Sequence, residues 1–561
     1  MKKITIKILF GSVLFATVAG GCKKAWFDIN KDPNNAVESN ITPDLVLPAA
    51  LLTAANRTTT AYGFLGNWVG YTAPGANYAP STEEQGYQIT TNFAADRFGN
   101  LMNNAYDFEF MDQKSAATNQ TFYQGIAKIM KSLAFTELVQ LYNDVPYSEA
   151  LKSLAVIRPK YDPGMEVYEG AMKNLDSAVA LIKNAVESDN VKIHDVDIMF
   201  HADKTLWIKF ANTLKLRLLM HQANRADRAA YITAEIAKIT AEGSGFLGSG
   251  QNAALNPGYQ QDKPNAYYAT FGFTQTGTPA TDFWRANVVA MNYYKLNQDP
   301  RLGNFYKATV NPVPGGSPEP FPQPAPTTHR GNQYGLPINN IQYPFQTANF
   351  VSQPGGITTA GAFSASAAGL IKGYNAPLWI MTSVESLFLQ AEAIARGWIP
   401  GDAKTAYMNA VRESFRWLNT GGSQTAANNA FNTWYADQDA ANNADVSWDD
   451  ATTPLAKMRQ LVFQKYLALN QIANLETWND FRRFTGGQPQ VDPDPAVYAA
   501  GKTGAGTYPY LDLSQNPGRT SQIIPVRLLY PQRELNLNEA NVPSLGRKSG
   551  DQFTGKIWWM P

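Results

Sequence analysis

Residues 122–142 read FYQGIAKIMKSLAFTELVQLY, and this stretch decides the class of fold. Its apolar residues recur at spacings of three and four, which places them on one face of an α-helix. The residues of that face are Ala127, Met130, Ala134, Leu138 and Leu141. The stretch therefore predicts a helix with one buried face, on which two alanines allow a second helix to approach closely.

The same helical spacing recurs on both sides of this stretch. Residues 165–186 and 204–221 are predicted helices, and Asp203 is the expected N-cap of the second. Helical spacing returns in residues 384–398, 405–418 and 455–469. Helix pairs with small residues at their crossings are typical of tetratricopeptide-like scaffolds, although no repeat of about 34 residues can be counted. The predicted crossing residues are Ala127, Ala134, Ala391, Ala395 and Gly397.

Composition divides the chain into helical and loop-rich parts. Residues 241–370 are dense in Gly, Pro, Asn, Gln and Thr, and residues 485–561 are again rich in turn residues. Long loops inside a compact domain usually carry function or are disordered. We therefore predict a mainly α fold, with a scaffold of residues 44–240 and 371–484 and a loop-rich ligand-binding lobe of residues 241–370 and 485–561.

The N-terminal segment has the features of an export signal. A basic start and a short apolar run precede small residues at 19–21 and then Cys22. The apolar run is too short to span a membrane. A cysteine at this position is typical of a bacterial lipobox, so we expect residues 1–21 to be a lipoprotein signal peptide and Cys22 to be acylated. Residues 22–43, which are polar, would form a tether.

Charge and cysteine content exclude several classes of protein. Loss of Lys2, Lys3 and Lys7 with the signal leaves 44 basic against 46 acidic residues. A chain this close to neutral lacks the positive surface that nucleic-acid binding requires. Cys22 is the single cysteine, so an intramolecular disulfide cannot form. No later stretch reaches about 18 apolar residues, which leaves the lipid as the expected membrane attachment.

Two patterns resemble cofactor or metal sites, and each has a simpler interpretation. Residues 243–248 match G-x-G-x-x-G, but a predicted helix precedes them where a dinucleotide site needs a strand. We interpret them as a helix stop. A second pattern consists of acidic and histidine side chains: His194, Asp195, Asp197, His201 and Asp203. Their spacing fits neither a zinc nor a calcium motif, so we predict no metal and no cofactor.

Catalytic residues are not predicted either. The chain has no G-x-S-x-G motif, and Cys22 is expected to carry lipid. Glu83 and Glu84 are the candidates for the paired carboxylates of a glycoside hydrolase, which remains an alternative.

Aromatic and amide side chains on loops indicate a binding site instead. Flat rings stack on the C–H faces of sugars, and amides bind sugar hydroxyls. The predicted ligand-binding residues fall in two groups: Trp68, Tyr71, Asn77 and Tyr78 in the first, and Tyr267, Tyr268 and Trp284 in the second. The competing interpretation is that these rings fill a hydrophobic core. Low charge in both groups favours neutral sugars over uronic acids.

Four motifs resemble those of one known family. They are FDINKDPN at 27–34, LYNDVPYSEAL at 141–151, QKYLAL at 464–469 with ETW at 476–478 and FRR at 481–483, and PVRLLYP at 525–531. Together they resemble the SusD/RagB family of nutrient-binding outer-membrane lipoproteins of Bacteroidetes, and the SusD-like branch in particular. The resemblance covers essentially the whole mature chain.

The resemblance implies a fold of tetratricopeptide-like helix pairs that supports a loop-rich ligand lobe. It implies a cell-surface lipoprotein that covers a SusC-like TonB-dependent outer-membrane transporter and delivers an oligosaccharide, or in some members a peptide, for import. Neither catalysis nor an obligatory cofactor comes with the family, although some members hold a structural calcium. Lys23 and Lys24 stand where acidic residues often follow the cysteine in surface-exported relatives.

Three hypotheses follow from the sequence. The first is a lipid-anchored protein on the cell exterior that captures oligosaccharides, or peptides, without catalysis. The second is a purely structural cover for the transporter, in which Trp68 and Tyr78 would be buried. The third is a lipid-anchored glycoside hydrolase, in which Glu83 would need a partner carboxylate about 5–9 Å away.

Overall fold

The structure is a computed structural model that describes residues 40–318, 325–337, 342–356, 369–488 and 508–561. Helices dominate these residues and the strands are short, which confirms the predicted mainly α fold. The predicted signal peptide, Cys22 and most of the predicted tether lie outside the described residues.

In the described part of the chain, ten longer helices form the scaffold and its edges. In chain order they are α1 (Pro43–Thr60), α3 (Asp96–Ala117), α4 (Thr121–Tyr142), α5 (Gly164–Lys183), α7 (Lys204–His221), α8 (Ala229–Glu242), α12 (Ser383–Ala395), α13 (Ala403–Trp417), α14 (Gln424–Ala440) and α15 (Pro454–Ala468). The helix α16 (Asn474–Thr485) follows α15 after a short turn.

Shorter elements connect and extend the long helices. The short helices are α2 (Gly63–Trp68), α6 (Ile193–Val196), α9 (Ala266–Phe271), α10 (Val288–Leu296), α11 (Leu302–Phe305), α17 (Gln532–Leu537) and α18 (Asp551–Thr554). The strands are β1 (Thr72–Pro74), β2 (Val145–Pro146), β3 (Tyr161–Asp162), β4 (Ala253–Leu255), β5 (Trp284–Ala286) and β6 (Leu378–Met381). They form three antiparallel pairs: β1 with β5, β2 with β3, and β4 with β6.

The helix that decides the fold is buried on nearly all sides. α4 packs against α3 on one side and α5 on the other. Gly125 marks the closest approach to α5, because a Cβ at this position would lie 2.5 Å from Ile182. Ala127 and Ala134 are fully buried, as expected for crossing positions. A second antiparallel pair, α12 with α13, repeats this arrangement in the later part of the scaffold.

Two of the predicted crossing residues have another role. Ala395 and Gly397 are exposed, and nothing lies within 4 Å of the position of a Cβ on Gly397. Gly397 instead follows the end of α12 with φ +73°, a conformation that glycine adopts without a steric penalty. The prediction of close packing at these two positions is therefore wrong, and Gly397 terminates the helix.

The motifs of α15 and α16 form a buried network of charges. Lys465 lies 2.8 Å from Asp480 and 3.4 Å from Glu476, and all three side chains are buried. His221 of α7 contacts Glu476 at 2.8 Å. Arg483 lies 2.7 Å from Asp480, which links the network to the next ion pair. Because unpaired charges are costly in a protein interior, each member requires its partners.

Arg483 joins α16 to α12. Its Nη1 and Nη2 donate to Oε1 and Oε2 of Glu392 at 2.7 and 2.6 Å, in a bidentate geometry. Burial alone raises the pKa of Glu392, but the charges of Arg483 and Arg396 outweigh it and hold that pKa at about 2. The carboxylate therefore stays ionised, and the pair fixes two helices of the scaffold to each other.

Arg482 joins the scaffold to the C-terminal segment. Its guanidinium lies 3.4 Å from the centroid of the Trp478 ring and donates to the carbonyl oxygens of Gln140 and Val526 at 2.6 and 2.8 Å. Leu528 N donates to Leu141 O at 2.8 Å beside it. The motif at 525–531 therefore crosses the end of α4.

The C-terminal segment contains an acid that makes stability depend on pH. Burial raises the pKa of the half-buried Asp512 to about 7, against the opposing effect of its hydrogen bond with Gln333. An unfolded aspartate has a pKa of about 3.9. Between these pH values the folded protein holds a proton that the unfolded chain releases, so the free energy of unfolding falls as the pH rises from about 4 to about 7.

We expect Asp512→Asn to raise the Tm at pH 8 by about 1–3 °C, because the variant avoids ionisation of a partly buried acid. At pH 4 the wild-type side chain is already protonated in the folded state, and the Tm should change little. Thermal denaturation at the two pH values measures this difference. Equal shifts at both, or a lower Tm at pH 8, would contradict the assigned cause.

Among the described residues, none of the helices has both the length and the apolar character needed to cross a membrane.

Candidate functional site

The two predicted aromatic groups meet through a short pair of strands. β1 pairs with β5 in antiparallel register, with Thr72 opposite Ala286 and Pro74 opposite Trp284. Gly75 N extends the pairing by donating to Phe283 O at 3.0 Å. Segments about 200 residues apart in the chain, one from each side of the predicted boundary at residue 240, thus lie side by side.

Four aromatic rings lie along this junction and keep part of their surface in solvent. Tyr78, Phe271, Phe283 and Trp284 are all half-buried, and together we call them the aromatic face. Ring centroids are 5.0 Å apart for Tyr78–Phe283, 5.0 Å for Phe283–Trp284 and 6.2 Å for Phe271–Trp284. The first two pairs meet edge to face, a favourable arrangement that also holds the rings at fixed angles.

Polar groups border the aromatic face at Tyr78. The Tyr78 hydroxyl donates to the carboxylate of Asp282, which is exposed, and this hydrogen bond raises the pKa of Tyr78. Asn77 is also exposed, so its amide is open to solvent beside the ring. The face thus combines ring surfaces with a carboxylate and an amide, the groups that hydrogen-bond sugar hydroxyls.

Trp284 lies against α2 at a glycine. A Cβ on Gly63 would come within 3.1 Å of Cη2 of Trp284, a tighter contact than most real Cβ atoms make. The absence of a side chain at Gly63 therefore lets the six-membered ring of the indole approach the helix closely. On its other side Trp284 contacts Phe271, the last residue of α9.

A buried cation adjoins the aromatic face. Arg285 is buried, donates from Nη1 to Trp284 O at 2.8 Å, and has no hydrogen-bond partner for Nε among the described residues. Burial lowers its pKa to about 10, although the charge of Asp282 opposes this effect.

Two residues of the first predicted group belong to the core. Trp68 is 1% exposed, donates from Nε1 to Glu84 O at 3.1 Å, and packs edge to face on Phe64. Tyr71 is fully buried, and its hydroxyl donates to Tyr466 O at 2.5 Å. Neither ring presents a face to solvent in this structure, so the competing interpretation as core rings describes both.

Two residues of the second group are buried as well. Tyr267 is 1% exposed and packs between Phe271 and Trp379, with centroid distances of 4.8 and 4.9 Å. Tyr268 is fully buried and meets Tyr374 edge to face. Tyr267 thus supports the aromatic face from behind and has no ring surface open to a ligand in this structure.

Asn77, Tyr78 and Trp284 are the predicted ligand residues that the structure brings together at the surface. Sequence reasoning did not select Phe283 and Asp282, although both directly precede Trp284 in the run Thr281–Arg285. The feature that could have identified them is the composition of this run, in which an acid, a phenyl ring and an indole are consecutive.

Glu83 and Glu84 hold the loop that follows β1. Glu83 accepts hydrogen bonds from the Thr90 backbone and hydroxyl groups, at 3.2 and 2.5 Å. Glu84 accepts from Asn67 Nδ2 at 2.7 Å, and burial raises its pKa. Both carboxylates therefore have local hydrogen-bond partners that account for their positions.

The acidic and histidine side chains at 194–203 have local structural partners. Asp203 caps α7 by accepting from Leu206 N at 3.0 Å, as predicted. Asp197 is fully buried and accepts from Trp207 Nε1 at 2.8 Å as well as from backbone amides. Among the described residues no group of three or more His, Cys, Asp or Glu side chains is arranged to hold a metal ion.

The glycine-rich run at 243–248 is a helix stop, as predicted. Gly243 ends α8 with φ +84° and donates to Ile239 O. The run is then held by Leu247, whose backbone N–H bonds to Thr213 and whose carbonyl accepts from Ser386. A helix precedes the run, so the strand that a dinucleotide site requires is absent at this position.

Fold and face together define an α-helical scaffold that presents a partly exposed aromatic surface. A sequence model of the SusD-like family, described as "Starch-binding associating with outer membrane", matches residues 33–503. The chain belongs to this SusD-like family, because the match spans most of its length. No curated protein is a significant match to the sequence.

Solved structures share the fold at low sequence identity. A SusD homologue from Bacteroides fragilis has a TM-score of 0.68 at 21% identity, covering 92% of this chain and 99% of its own. A Bacteroides vulgatus protein assigned to the outer membrane and to nutrient binding has a TM-score of 0.67 at 22% identity. The alignment covers 93% of this chain and 100% of that protein. A chitin-binding SusD homologue from Flavobacterium johnsoniae has a TM-score of 0.64 at 21% identity. The alignment covers 91% of this chain and 97% of that protein.

Proposed function

We propose that this protein captures oligosaccharides at the cell surface by stacking their rings on the aromatic face. The observation that carries the proposal is the β1–β5 pairing, which unites two aromatic loop segments into one partly exposed surface. The outer-membrane and starch-binding description of the family supports it. So does the chitin-binding relative, since chitin is a polymer of neutral sugar rings.

The proposed contacts divide between stacking and hydrogen bonding. Trp284 and Tyr78 offer ring surface to the C–H faces of a sugar, with Phe283 fixed between them. Asn77 and Asp282 bind hydroxyl groups at the border. The buried Trp68, Tyr71, Tyr267 and Tyr268 act indirectly, by supporting the loops that carry these groups.

The proposed role is binding without catalysis. Retaining and inverting hydrolases need a carboxyl acid and a second carboxylate about 5–9 Å apart, both open to the substrate. Glu83 and Glu84, the candidates from the sequence, accept hydrogen bonds from their own loop and from α2. Asp282, the carboxylate on the aromatic face, accepts from Tyr78 and serves as a hydrogen-bond acceptor for ligand hydroxyls.

Delivery to a transporter completes the proposal. We assign the protein a lipid anchor at Cys22, a position on the outer membrane facing the cell exterior, and a SusC-like TonB-dependent transporter as its partner. The lipobox-like sequence around Cys22 and the outer-membrane description of the family support this assignment. In this arrangement the protein binds the ligand first and the transporter imports it, with the loop-rich residues 241–370 and 485–561 forming the ligand-binding lobe.

We expect Trp284→Ala to weaken oligosaccharide binding by about tenfold or more, because the indole supplies the largest stacking surface on the face. Titration of a panel of neutral and acidic oligosaccharides into the lipid-free protein, followed by tryptophan fluorescence, measures the change. The urea midpoint of the variant should stay close to the wild-type value, because the ring is only half-buried.

Trp398→Ala provides the matched control for this experiment. Trp398 is a half-buried tryptophan that lies beyond the end of α12 and contacts Arg396. Its replacement should leave ligand affinity unchanged. Equal losses in both variants would contradict the assignment of the site. A flat response of the wild-type protein to every oligosaccharide would instead favour a peptide ligand or a purely structural cover.

The burial of Trp68 and Tyr78 bears on the alternative that the protein is a purely structural cover for the transporter. That alternative requires both Trp68 and Tyr78 to be buried. Trp68 is buried, but Tyr78 is half-buried and its hydroxyl bonds to the exposed Asp282. The state of Tyr78 therefore favours ligand capture.

A further inference from the structure

A cavity lies at Trp379, which packs against Tyr267, one of the rings that support the aromatic face. It has a volume of about 270 Å³, and its walls include Asn252, Lys372, Pro377, Trp379 and Trp417. Small-molecule pockets commonly measure about 300–1,000 Å³, so this one has room for a single compact ring rather than an oligosaccharide.

Two tryptophans and a proline form the apolar part of the cavity walls, which also include Asn252 and Lys372. Trp379 and Trp417 meet edge to face with centroids 5.2 Å apart, which fixes both rings. Trp379 also donates from Nε1 to Ile472 O at 2.9 Å. Both rings are buried, at 5% and 8% exposed, so each presents a small part of its surface to the cavity.

Lys372 brings a positive charge into these walls. Its Nζ lies 3.8 Å from the centroid of the Trp417 ring and donates to Trp417 O at 2.7 Å. No carboxylate lies within 4.0 Å of Nζ among the described residues, and no second acceptor for its N–H groups is found there. Burial lowers the pKa of Lys372 to about 8, as expected for a cation that lacks a counter-ion.

The nearest carboxylate is committed to other donors. Glu413 accepts from Gly250 N at 2.8 Å and from Ser383 Oγ at 2.6 Å through Oε1, and from Ser249 Oγ at 2.5 Å through Oε2. These bonds hold Glu413 against the loop before β4 and α12. Its charge opposes the effect of burial on Lys372 without making an ion pair.

From this arrangement we infer that the cavity is a subsite for one carboxylated sugar ring, whose carboxylate pairs with Lys372 while the ring fills the space beside it. A single cation suits a singly charged carboxylate, whereas a phosphate or sulfate group is bound by several donors. The volume favours a uronic acid residue over a small inorganic anion.

The cavity adjoins the aromatic face through a continuous row of rings. Trp379 contacts Tyr267 at 4.9 Å, Tyr267 contacts Phe271 at 4.8 Å, and Phe271 contacts Trp284 at 6.2 Å. Binding in the cavity does not depend on the proposed function, because the face and the cavity use different residues. Neutral rings would occupy the face and an acidic ring the cavity.

The test compares methyl β-D-glucuronide with methyl β-D-glucoside by ligand-observed NMR, below pH 7, where Lys372 is protonated. The wild-type protein should bind the glucuronide, and Lys372→Met should weaken that binding by about tenfold or more, the size expected for loss of a charge-assisted hydrogen bond. Lys372→Arg should retain most of the affinity. Equal binding of the two glycosides by the wild-type protein would overturn the inference without any variant.

Lys307→Met is a closely matched control. Lys307 is also half-buried, its Nζ also lies 3.8 Å from a ring centroid, that of Phe273, and burial lowers its pKa to about 8 as well. Glucuronide affinity should be unchanged in Lys307→Met. A loss equal to that of Lys372→Met would show that the ligand responds to the overall positive charge of the protein and is not bound by Lys372 in the cavity.

Two further arms separate the possible results. A tripeptide with a free C-terminal carboxylate should bind more weakly than the glucuronide, and binding of equal strength would overturn the assignment to a sugar. Trp284→Ala should keep glucuronide binding. A protein that binds neutral oligosaccharides but no glucuronide would refute the cavity alone, and the reverse result would refute the aromatic face alone.

Discussion

Replacement of Glu392 by alanine is expected to lower the free energy of unfolding by about 3–5 kcal/mol, the cost of removing one partner from a buried ion pair. Glu392 accepts both arms of Arg483 and also the Nε of Arg396, at 2.6 to 2.9 Å. Without it, Arg483 retains Asp480 as its remaining acidic partner in a fully buried position. Urea denaturation followed by circular dichroism measures the loss.

Asp449→Ala is the control for this prediction. Asp449 pairs with Lys404 at 2.5 Å on the surface, where ion pairs contribute about 0–1 kcal/mol. Its removal should shift the urea midpoint little. A small effect of Glu392→Ala, similar to that of Asp449→Ala, would show that the buried network does not hold α12 to α16.

Trp68→Ala is expected to cost about 3–5 kcal/mol, the range for removal of a large aromatic side chain from a core. The indole is 1% exposed and contacts Phe64, Phe93 and Trp478. Its loss would leave a large cavity between α2, α16 and the loop that follows β1. The same urea experiment measures the effect.

The contrast with Trp284 makes this result informative about function. Both tryptophans were candidates for ligand stacking, and they differ in burial. Trp68→Ala should reduce stability strongly, and Trp284→Ala should reduce binding with little change in stability. If Trp68→Ala kept wild-type stability and lost ligand affinity, the division between core and face would be wrong.

Strongly periodic helices were predictable from the sequence. The helix at Lys204–His221 has the predicted bounds, and the helix at Thr121–Tyr142 begins one residue before them. Both contain apolar residues at regular spacings of three and four. Asp203 caps the N-terminus of the helix at Lys204–His221. Local chemistry alone was sufficient at these positions.

Three long helices were not individually identified, because their patterns are weak. α1 contains Pro48 and ends in three threonines, α3 is rich in asparagine and acidic residues, and α14 has few large apolar residues. Tertiary packing stabilises such helices more than propensity does. Their existence therefore depends on partners that are distant in the sequence.

The two regions that form the candidate site were predictable from the sequence. The surface that they form together was not. The sequence placed rings near residues 68–78 and 267–284, but the register between Pro74 and Trp284 is a long-range contact. Composition could not separate a ring such as Trp68, which lies on the buried side of α2, from Tyr78 four residues after β1. Burial is set by packing of the whole fold.

The motifs that carry the family resemblance have a structural explanation. Lys465, Glu476, Arg482 and Arg483 form the buried network and the contacts to the C-terminal segment. The rings of the aromatic face lie outside these motifs. The motifs behind the family resemblance therefore belong to the framework, whereas the proposed ligand-binding residues lie in loops outside them.

The most direct test of ligand capture at the aromatic face is a crystal structure of the lipid-free protein with an oligosaccharide that binds in solution. We expect a sugar ring stacked on Trp284 or Tyr78, with hydroxyl groups bonded to Asn77 or Asp282. An oligosaccharide bound elsewhere, with the β1–β5 surface unoccupied, would contradict the proposed site.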